Sequence, residues 1–313
     1  MNYNNKVLII GCGAITSSFH LPALIKLIPR NHIFLYDKNS EISKNLGKKF
    51  NIDNVVIDVE KSFQNIDSAI LAVPHQFSFD IAKKLLSNGI NVLGEKPLTS
   101  SVQELDELIE IADKKKLVFC GNHTRRFFPS IVKLKKLLSQ EKIKEINIYE
   151  GDPFSWKSKS GFYFEGGKGV LIDRGPHIIN VVNFLTNHED LTPIEFSHNS
   201  SNYSLPESHC KIRLNSNFFK VNIIISWIYK MSNQIEIITE NKRFTVGISS
   251  FNFLNQYHND KVKNITAKPI KTQFDQFSND VADEFLRHVN SGKSNSILAN
   301  DVRQSVKLIE KLY

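Results

Sequence analysis

Residues 6–16 read KVLIIGCGAIT: an apolar run, a Gly11-Cys12-Gly13 turn, and residues that suit a helix start. Strand, glycine loop and helix in that order let backbone amides and a helix N-terminus approach a pyrophosphate, because glycine has no Cβ to stand in the way. Gly11, Gly13, Ala14 and Ile15 are therefore the candidate phosphate cradle. Thr16 replaces a third glycine, which loosens the pattern but touches helix-to-strand packing rather than the phosphate approach. The next apolar run, HIFLYD, ends at Asp37, somewhat beyond the roughly twenty-residue separation at which an acid meets an adenosine ribose. A carboxylate there accepts from both ribose hydroxyls and repels a 2′-phosphate, so NAD is the expected cofactor. Lys38 follows at once and could swing to that phosphate, which keeps NADP as the alternative.

The rhythm continues outward from this motif. NVVID, SAILAV, INVLGE and KLVFCGN read as further short strands, separated by helical stretches such as HLPALIKLI and ELDELIEIADKK. Such alternation predicts a parallel sheet with helices on its faces, and ligands collect outside the carboxyl ends of its strands. Ala72, Val73 and Pro74 after one strand, and Glu95 and Lys96 after the next, should face the cofactor. Ser101 and Glu104 form a capping box that explains the helix start but leaves Lys96 unexplained.

Past residue 122 the pattern changes. One helix, FFPSIVKLKKLL, is followed by longer strands of alternating polarity: EINIYEGD, HCKIRLN, FFKVNIIISWIYK, and NQIEIITE turning at Asn241-Lys242 into RFTVG. These predict a mostly antiparallel sheet. The chain closes with two helical segments, FDQFSNDVADEFLRHVNSG, ended by Gly292, and DVRQSVKLIEKLY. The expected class is α/β: a dinucleotide-binding domain over 1–122, then an α+β domain over 123–313 with a mostly antiparallel sheet.

At 313 residues, 41% hydrophobic and 23% charged, the chain has the balance of a globular protein of two domains. No apolar run has signal-peptide or membrane-spanning length, so a cytoplasmic protein with no membrane partner is expected. Cys12, Cys120 and Cys210 form no pair or cluster with metal-binding spacing, so neither a disulfide framework nor a metal is expected. The net charge of +8 comes from lysines scattered along helices rather than one basic, aromatic stripe, which argues against nucleic acid and suits small anionic ligands.

Residues 169–180 read GVLIDRGPHIIN, with Asp173 and His177 four apart. Asp173 has the residue type of an N-cap, and Gly175-Pro176 suits a chain entering a helix. That explains Asp173 but not His177, which can share a helix face with it. An aspartate that orients a histidine, and a histidine that takes a hydroxyl proton, are what alcohol oxidation requires. DPFSWKSKSGFYFEGGKG, just upstream, is the least regular stretch, with Trp156, Phe162, Tyr163 and Phe164 as a candidate sugar platform or ordinary loop packing.

VLIIGCGAI with HLPAL, then AVP, GEKPLTSS and GVLIDRGPHIIN, resemble in order and spacing the Gfo/Idh/MocA family, the glucose–fructose oxidoreductase and inositol dehydrogenase group. The resemblance implies a Rossmann domain over 1–122 with a tightly bound NAD or NADP, and a second domain whose open-faced sheet carries the substrate site and the contact of a homodimer or homotetramer. It also implies a catalytic Lys96, Asp173 and His177, and a cis Lys96–Pro97 bond. GNHTRRFFPS resembles the family's crossing between domains and puts Asn122, Arg125 and Arg126 near the substrate, with Trp156, Arg174 and Asn180 as further candidates. Arg125, Arg126, Lys168 and Arg174 could take an anionic substrate group. Ser78 stands where many relatives have histidine, His75 where they have asparagine, and Asn180 where they have an acid, so no particular substrate carries over. The implied activity is interconversion of a secondary alcohol and a ketone on a sugar, cyclitol, sugar acid or nucleotide sugar. An NAD-dependent glycoside hydrolase working by transient oxidation, and a non-catalytic dinucleotide sensor, are the alternatives.

Overall fold

The computed structural model describes residues 3–153, 169–200, 207–249, 253–259, 261–265, 275–292 and 298–313. Its contacts divide the chain into two units, Met1–Thr124 with Thr272–Val306, and Arg125–Lys271 with Lys307–Tyr313.

The first unit opens with β1 (Val7–Ile10), the glycine loop and a helix that winds as a π-type turn over Thr16–His20 before continuing as α1 (Leu21–Leu27). There follow β2 (Ile33–Tyr36), α2 (Ser40–Phe50), α3 (Val59–Ser62), β3 (Ser68–Leu71), α4 (His75–Ser87), β4 (Asn91–Gly94), α5 (Val102–Lys115) and β5 (Phe119–Gly121). The five strands pair in parallel in the order β2-β1-β3-β4-β5. Adjacent strand residues point to opposite faces, and in β1 both kinds are buried, as a sheet covered on two sides requires. Leu8, Ile10, Ala69, Leu71 and Val92 pack on Ala82, Leu85 and Leu86 of α4 and Leu105, Leu108 and Ala112 of α5.

NVVID, expected as a strand, is not one. Val55 makes a single bridge to Leu35, and Ile57 is 81% exposed. The run ends at Asp58, whose side chain accepts from the Lys61 amide and starts α3, leaving no room for a ladder.

The expected boundary at 122/123 is close to the Thr124/Arg125 break, but the second domain does not keep everything after it. Residues 272–306 return to the first unit. There α8 (Asp275–Ser291) packs on α1 and buries Phe277, Val281, Phe285 and Leu286. Polar ties add to it: Tyr3 Oη donates to Asp283 Oδ1 at 2.9 Å, and the Arg303 guanidinium grips the Asp106 carboxylate with two bonds of 2.7 Å. Apolar spacing shows that a helix has a buried face; it does not say which sheet covers that face.

The second unit contains α6 (Pro129–Leu138), β6 (Ile143–Gly151), α7 (Val170–Leu185), β7 (Thr192–Asn199), β8 (His209–Asn215), β9 (Lys220–Ser226), β10 (Gln234–Thr239), β11 (Arg243–Gly247), β12 (Leu254–His258) and β13 (Lys261–Asn264). The last helix, α9 (Arg303–Leu312), runs across the boundary between the units. The strands form one eight-stranded sheet in the order β13-β12-β11-β10-β6-β9-β8-β7. Every neighbouring pair is antiparallel except β6 with β9. Alternation sorts its faces. Ile146, Ile148, Val221, Ile223, Ile225, Ile235 and Ile237 are buried on one side, while Glu145, Asn147, Asn222, Glu236 and Arg243 occupy the other. That polar side is knit together: Asn222 Nδ2 donates to Glu145 Oε1 and Asn147 Oδ1, each at 2.8 Å, and Arg243 reaches Glu236 at 2.9 Å.

Candidate active site

In the first unit the glycine loop is shaped by its two glycines in different ways. Gly11 has φ +95°, and a Cβ there would lie 2.2 Å from the Ala72 carbonyl oxygen, so only glycine lets the loop pass β3 this closely. A Cβ at Gly13 would meet nothing within 4 Å, and Gly13, Ala14 and Ile15 are exposed at the head of the helix. Backbone amides in open space at a helix N-terminus suit an anion, and this cradle fits a dinucleotide pyrophosphate. Asp37, at the end of β2, accepts from the Cys12 amide at 2.8 Å and, through its other oxygen, from the Asn39 amide at 2.9 Å. It thus ties the glycine loop to the end of β2, each oxygen keeping a lone pair for a further donor. Burial, and then the nearby Asp37 charge, push the Cys12 thiol up to about 12, so it is neutral in the loop. Lys38 is exposed, Pro74 stands exposed before α4, and Ala72 and Val73 are half-buried.

The loop after β4 is organised by a carboxylate. Glu95 Oε1 accepts from His20 Nε2 at 2.7 Å and from Asn122 Nδ2 at 2.6 Å, while Oε2 accepts from the Lys96 amide at 3.2 Å. A carboxylate can only accept, so His20 carries its proton on Nε2. Burial raises the Glu95 pKa, but His20, Asn122 and the Lys96 charge outweigh it and hold the group below the usual carboxylate range. The Lys96–Pro97 peptide is cis, as the resemblance implied. Asn122, expected against substrate, has its amide on Glu95 instead. His20 was not singled out by sequence: it lies within the quoted HLPAL, but its partner is 75 residues away.

In the second unit α7 starts a turn earlier than its sequence suggests. Gly169, not Asp173, is the N-cap; Val170 donates its amide to the Glu207 carbonyl at 2.9 Å, and the Gly169 carbonyl accepts from the Asp173 amide at 3.1 Å. A Cβ at Gly169 would lie 2.0 Å from that Glu207 oxygen. A tertiary acceptor thus replaces the local capping signal, and Gly175 and Pro176 lie inside the helix. Asp173 and His177 stand one turn apart on one face of a helix whose other residues are mostly buried and apolar.

Asp173 Oδ2 accepts from Trp227 Nε1 at 3.1 Å and lies 4.0 Å from Arg174 Nε. Arg174 Nη1 is also 4.0 Å from Glu150 Oε1. Glu150 is in turn taken by Arg125 through two bonds of 2.7 Å, a fork that leaves Arg125 committed to a protein carboxylate. Arg126 is buried, donates Nε to Asn180 Oδ1 at 2.6 Å, and stacks over Phe184 with its guanidinium carbon 5.4 Å from the ring centre. Of the four cations expected to form an anion site, Arg125 and Arg126 thus have partners within the fold. Trp156, Phe162, Tyr163, Phe164 and Lys168 lie outside the described residues. Among the described residues no three His, Cys, Asp or Glu side chains are gathered to hold a metal, and no helix is long and apolar enough to cross a membrane.

The parallel five-stranded sheet with its glycine-loop cradle has the architecture of a dinucleotide-binding fold, and within the second unit the helix bearing Asp173 and His177 packs on β8 and β9 of the largely antiparallel sheet. Residues 5–123 match the model of the oxidoreductase family with an NAD-binding Rossmann fold, Gfo/Idh/MocA. The chain is 27% identical over 187 residues to scyllo-inositol 2-dehydrogenase (NADP(+)) of Bacillus subtilis, covering 56% of this chain and 50% of that one. It is 28% identical over 188 residues to trans-1,2-dihydrobenzene-1,2-diol dehydrogenase of Xenopus tropicalis, covering 58% and 56%. The chain thus spans about half the length of the curated relatives it matches. In fold it is similar from end to end to UDP-N-acetylglucosamine 3-dehydrogenase of Acidithiobacillus ferrooxidans, with a TM-score of 0.85 at 17% identity over 99% of this chain and 97% of that one. A 3-ketoreductase of Actinomadura kijaniata, solved with NADP and TDP-benzene, has the same fold with a TM-score of 0.84 at 16% identity over 99% and 97%.

Proposed function

We propose that this protein is an NAD(P)-dependent oxidoreductase that interconverts a secondary alcohol and a ketone on a carbohydrate-type small molecule: a sugar, cyclitol, sugar acid or nucleotide sugar. The observation that carries the reading is the Asp173–His177 pair on α7. The two stand one turn apart, partly exposed, on a helix whose other residues are mostly buried and apolar, and Asp173 is not needed as its cap. His177 takes the hydroxyl proton as general base, and Asp173 orients the ring and stabilises its charged form. Lys96 holds the substrate oxygen as it becomes a carbonyl.

Gly11, Gly13, Ala14 and Ile15 hold the pyrophosphate, Asp37 with Lys38 beside it the adenosine ribose, and Ala72, Val73, Pro74 and Glu95 line the nicotinamide end. Bound there, the nicotinamide ring would supply the hydride acceptor. The names of similar proteins, a scyllo-inositol dehydrogenase, a UDP-N-acetylglucosamine dehydrogenase and a 3-ketoreductase with a TDP ligand, support the substrate class. Arg174 is the substrate contact on α7, since Asn180 is buried with its Oδ1 taken by Arg126. The polar face of the eight-stranded sheet is the surface through which we infer a homodimer or homotetramer.

The test is turnover of a panel of cyclitols, sugars, sugar acids and UDP- and TDP-sugars with NAD and NADP, followed by His177→Ala and Lys96→Ala in protein that still binds the dinucleotide. General acid–base catalysis is worth about 10²–10⁴-fold, so each variant should lose at least about 100-fold in kcat. A loss under about tenfold for His177→Ala, with folding and cofactor affinity intact, would return that motif to a structural helix.

A further inference from the structure

Val221, Ile223 and Ile225 of β9 are buried, and strand alternation carries the same face on to residue 227. Trp227 is 6% exposed, and its backbone is fixed there: its amide donates to the Ser208 carbonyl at 2.8 Å, and Ser226 Oγ accepts from the amides of Ile228 and Tyr229 at 3.0 and 3.1 Å. An indole placed on an otherwise aliphatic face brings one polar hydrogen with it, and a buried donor needs an acceptor. Asp173 Oδ2 is that acceptor.

The groups around Asp173 show why this one bond matters. On its own helix are His177, one turn on, and Arg174, whose Nε is 4.0 Å from Oδ2. From β6 comes Glu150, which holds Arg174 Nη1 at 4.0 Å while being gripped by Arg125. At the start of α7 lie Glu207 and the Tyr313 hydroxyl, hydrogen-bonded to each other. Arg174 is therefore shared between two acids at the outer limit of ion pairing, whereas Trp227 reaches Oδ2 at hydrogen-bond distance. That bond opposes rotation of the carboxylate toward the guanidinium and away from the helix face it shares with His177. We propose that Trp227 is a positioning residue, whose indole N–H holds the Asp173 carboxylate in the orientation that serves His177. The proposal rests on the reading of Asp173 and His177 as a proton-transfer pair.

The chain has two tryptophans, Trp156 and Trp227, so the indole ¹H–¹⁵N resonances are two, and Trp227→Phe assigns them. The Trp227 signal should move as pH is lowered through the carboxylate range, and Asp173→Asn should abolish that movement while His177→Ala keeps it. A Trp227 signal that ignores Asp173→Asn would overturn the proposal without reference to any substrate. In turnover with whichever compound of the panel is active, Trp227→Phe keeps an aromatic ring of smaller volume, deletes the donor, and should lower kcat roughly tenfold or more, with KM for the dinucleotide unchanged. Full kcat in Trp227→Phe beside a collapsed kcat in His177→Ala would also overturn it. Full kcat in both variants would overturn instead the proton-transfer reading beneath it, whatever the resonance does.

Discussion

Replacing His20 by alanine would leave the Glu95 carboxylate short of one of the two donors on its Oε1, in a place where the side chains of His20 and Glu95 are only 5% and 16% exposed. Removing one partner of a buried charged pair typically costs about 3–5 kcal/mol, because the remaining charge has lost its compensation. Asn122 and the Lys96 amide still reach Glu95, which places the expected loss near the lower end, about 3 kcal/mol. For a unit of this size that corresponds to a melting temperature lower by roughly 6–12 °C. Glu95→Gln alone should cost about 1.5–3 kcal/mol for its charge-assisted bonds. The double variant should be less destabilised than the two losses added together, since a neutral amide no longer needs the histidine; a coupling of at least about 1.5 kcal/mol is expected. The pH dependence has a defined sign. The folded carboxyl titrates below its ordinary value of 4.5, so its contribution is complete above that pH and is lost as pH falls from there through the lower folded value. In His20→Ala, burial is less opposed and this acid limb should shrink. Calorimetric melts of the wild type, both single variants and the double, at pH 7 and in steps down to about pH 3.5, provide the measurement. Additivity within about 0.5 kcal/mol would refute the idea that His20 and Glu95 act as a pair.

The two glycines of the cradle should separate fold from cofactor. Gly11→Ala places a Cβ 2.2 Å from the Ala72 oxygen at φ +95° and should destabilise the first unit by about 3 kcal/mol, read by thermal melting. Gly13→Ala meets nothing in the protein, so its melting temperature should hold while fluorescence titration shows weakened NADH binding. The wild type should prefer NAD over NADP by about tenfold or more in kcat/KM, and Asp37→Ser should narrow that ratio by removing the charge that repels a 2′-phosphate; equal values for the wild type would refute the assignment of Asp37. Gly169→Ala drives a Cβ against the Glu207 carbonyl oxygen at 2.0 Å and should displace the start of α7, lowering kcat more than it raises KM for the dinucleotide.

Short-range information was enough for the glycine loop and the acid that follows the next strand. KVLIIGCG determines strand, turn and helix start within a dozen residues, because apolar spacing and the absence of a Cβ are local properties, and Asp37 follows from the end of the next strand. The helix closing at Gly292 and the i, i+4 placement of Asp173 and His177 were legible for the same reason: both depend only on helical periodicity and backbone conformation. What tertiary structure alone decided are the partners. Val55 lacks the neighbours to make NVVID a strand; Glu207 supplies the acceptor that starts α7 at Val170 instead of after Asp173; and α8 finds its cover on α1. His20 meets Glu95, and Trp227 meets Asp173, across 75 and 54 residues of chain. No period or spacing encodes such pairs, because a buried donor and acceptor are matched by where two separate elements pack, and that is a property of the whole fold.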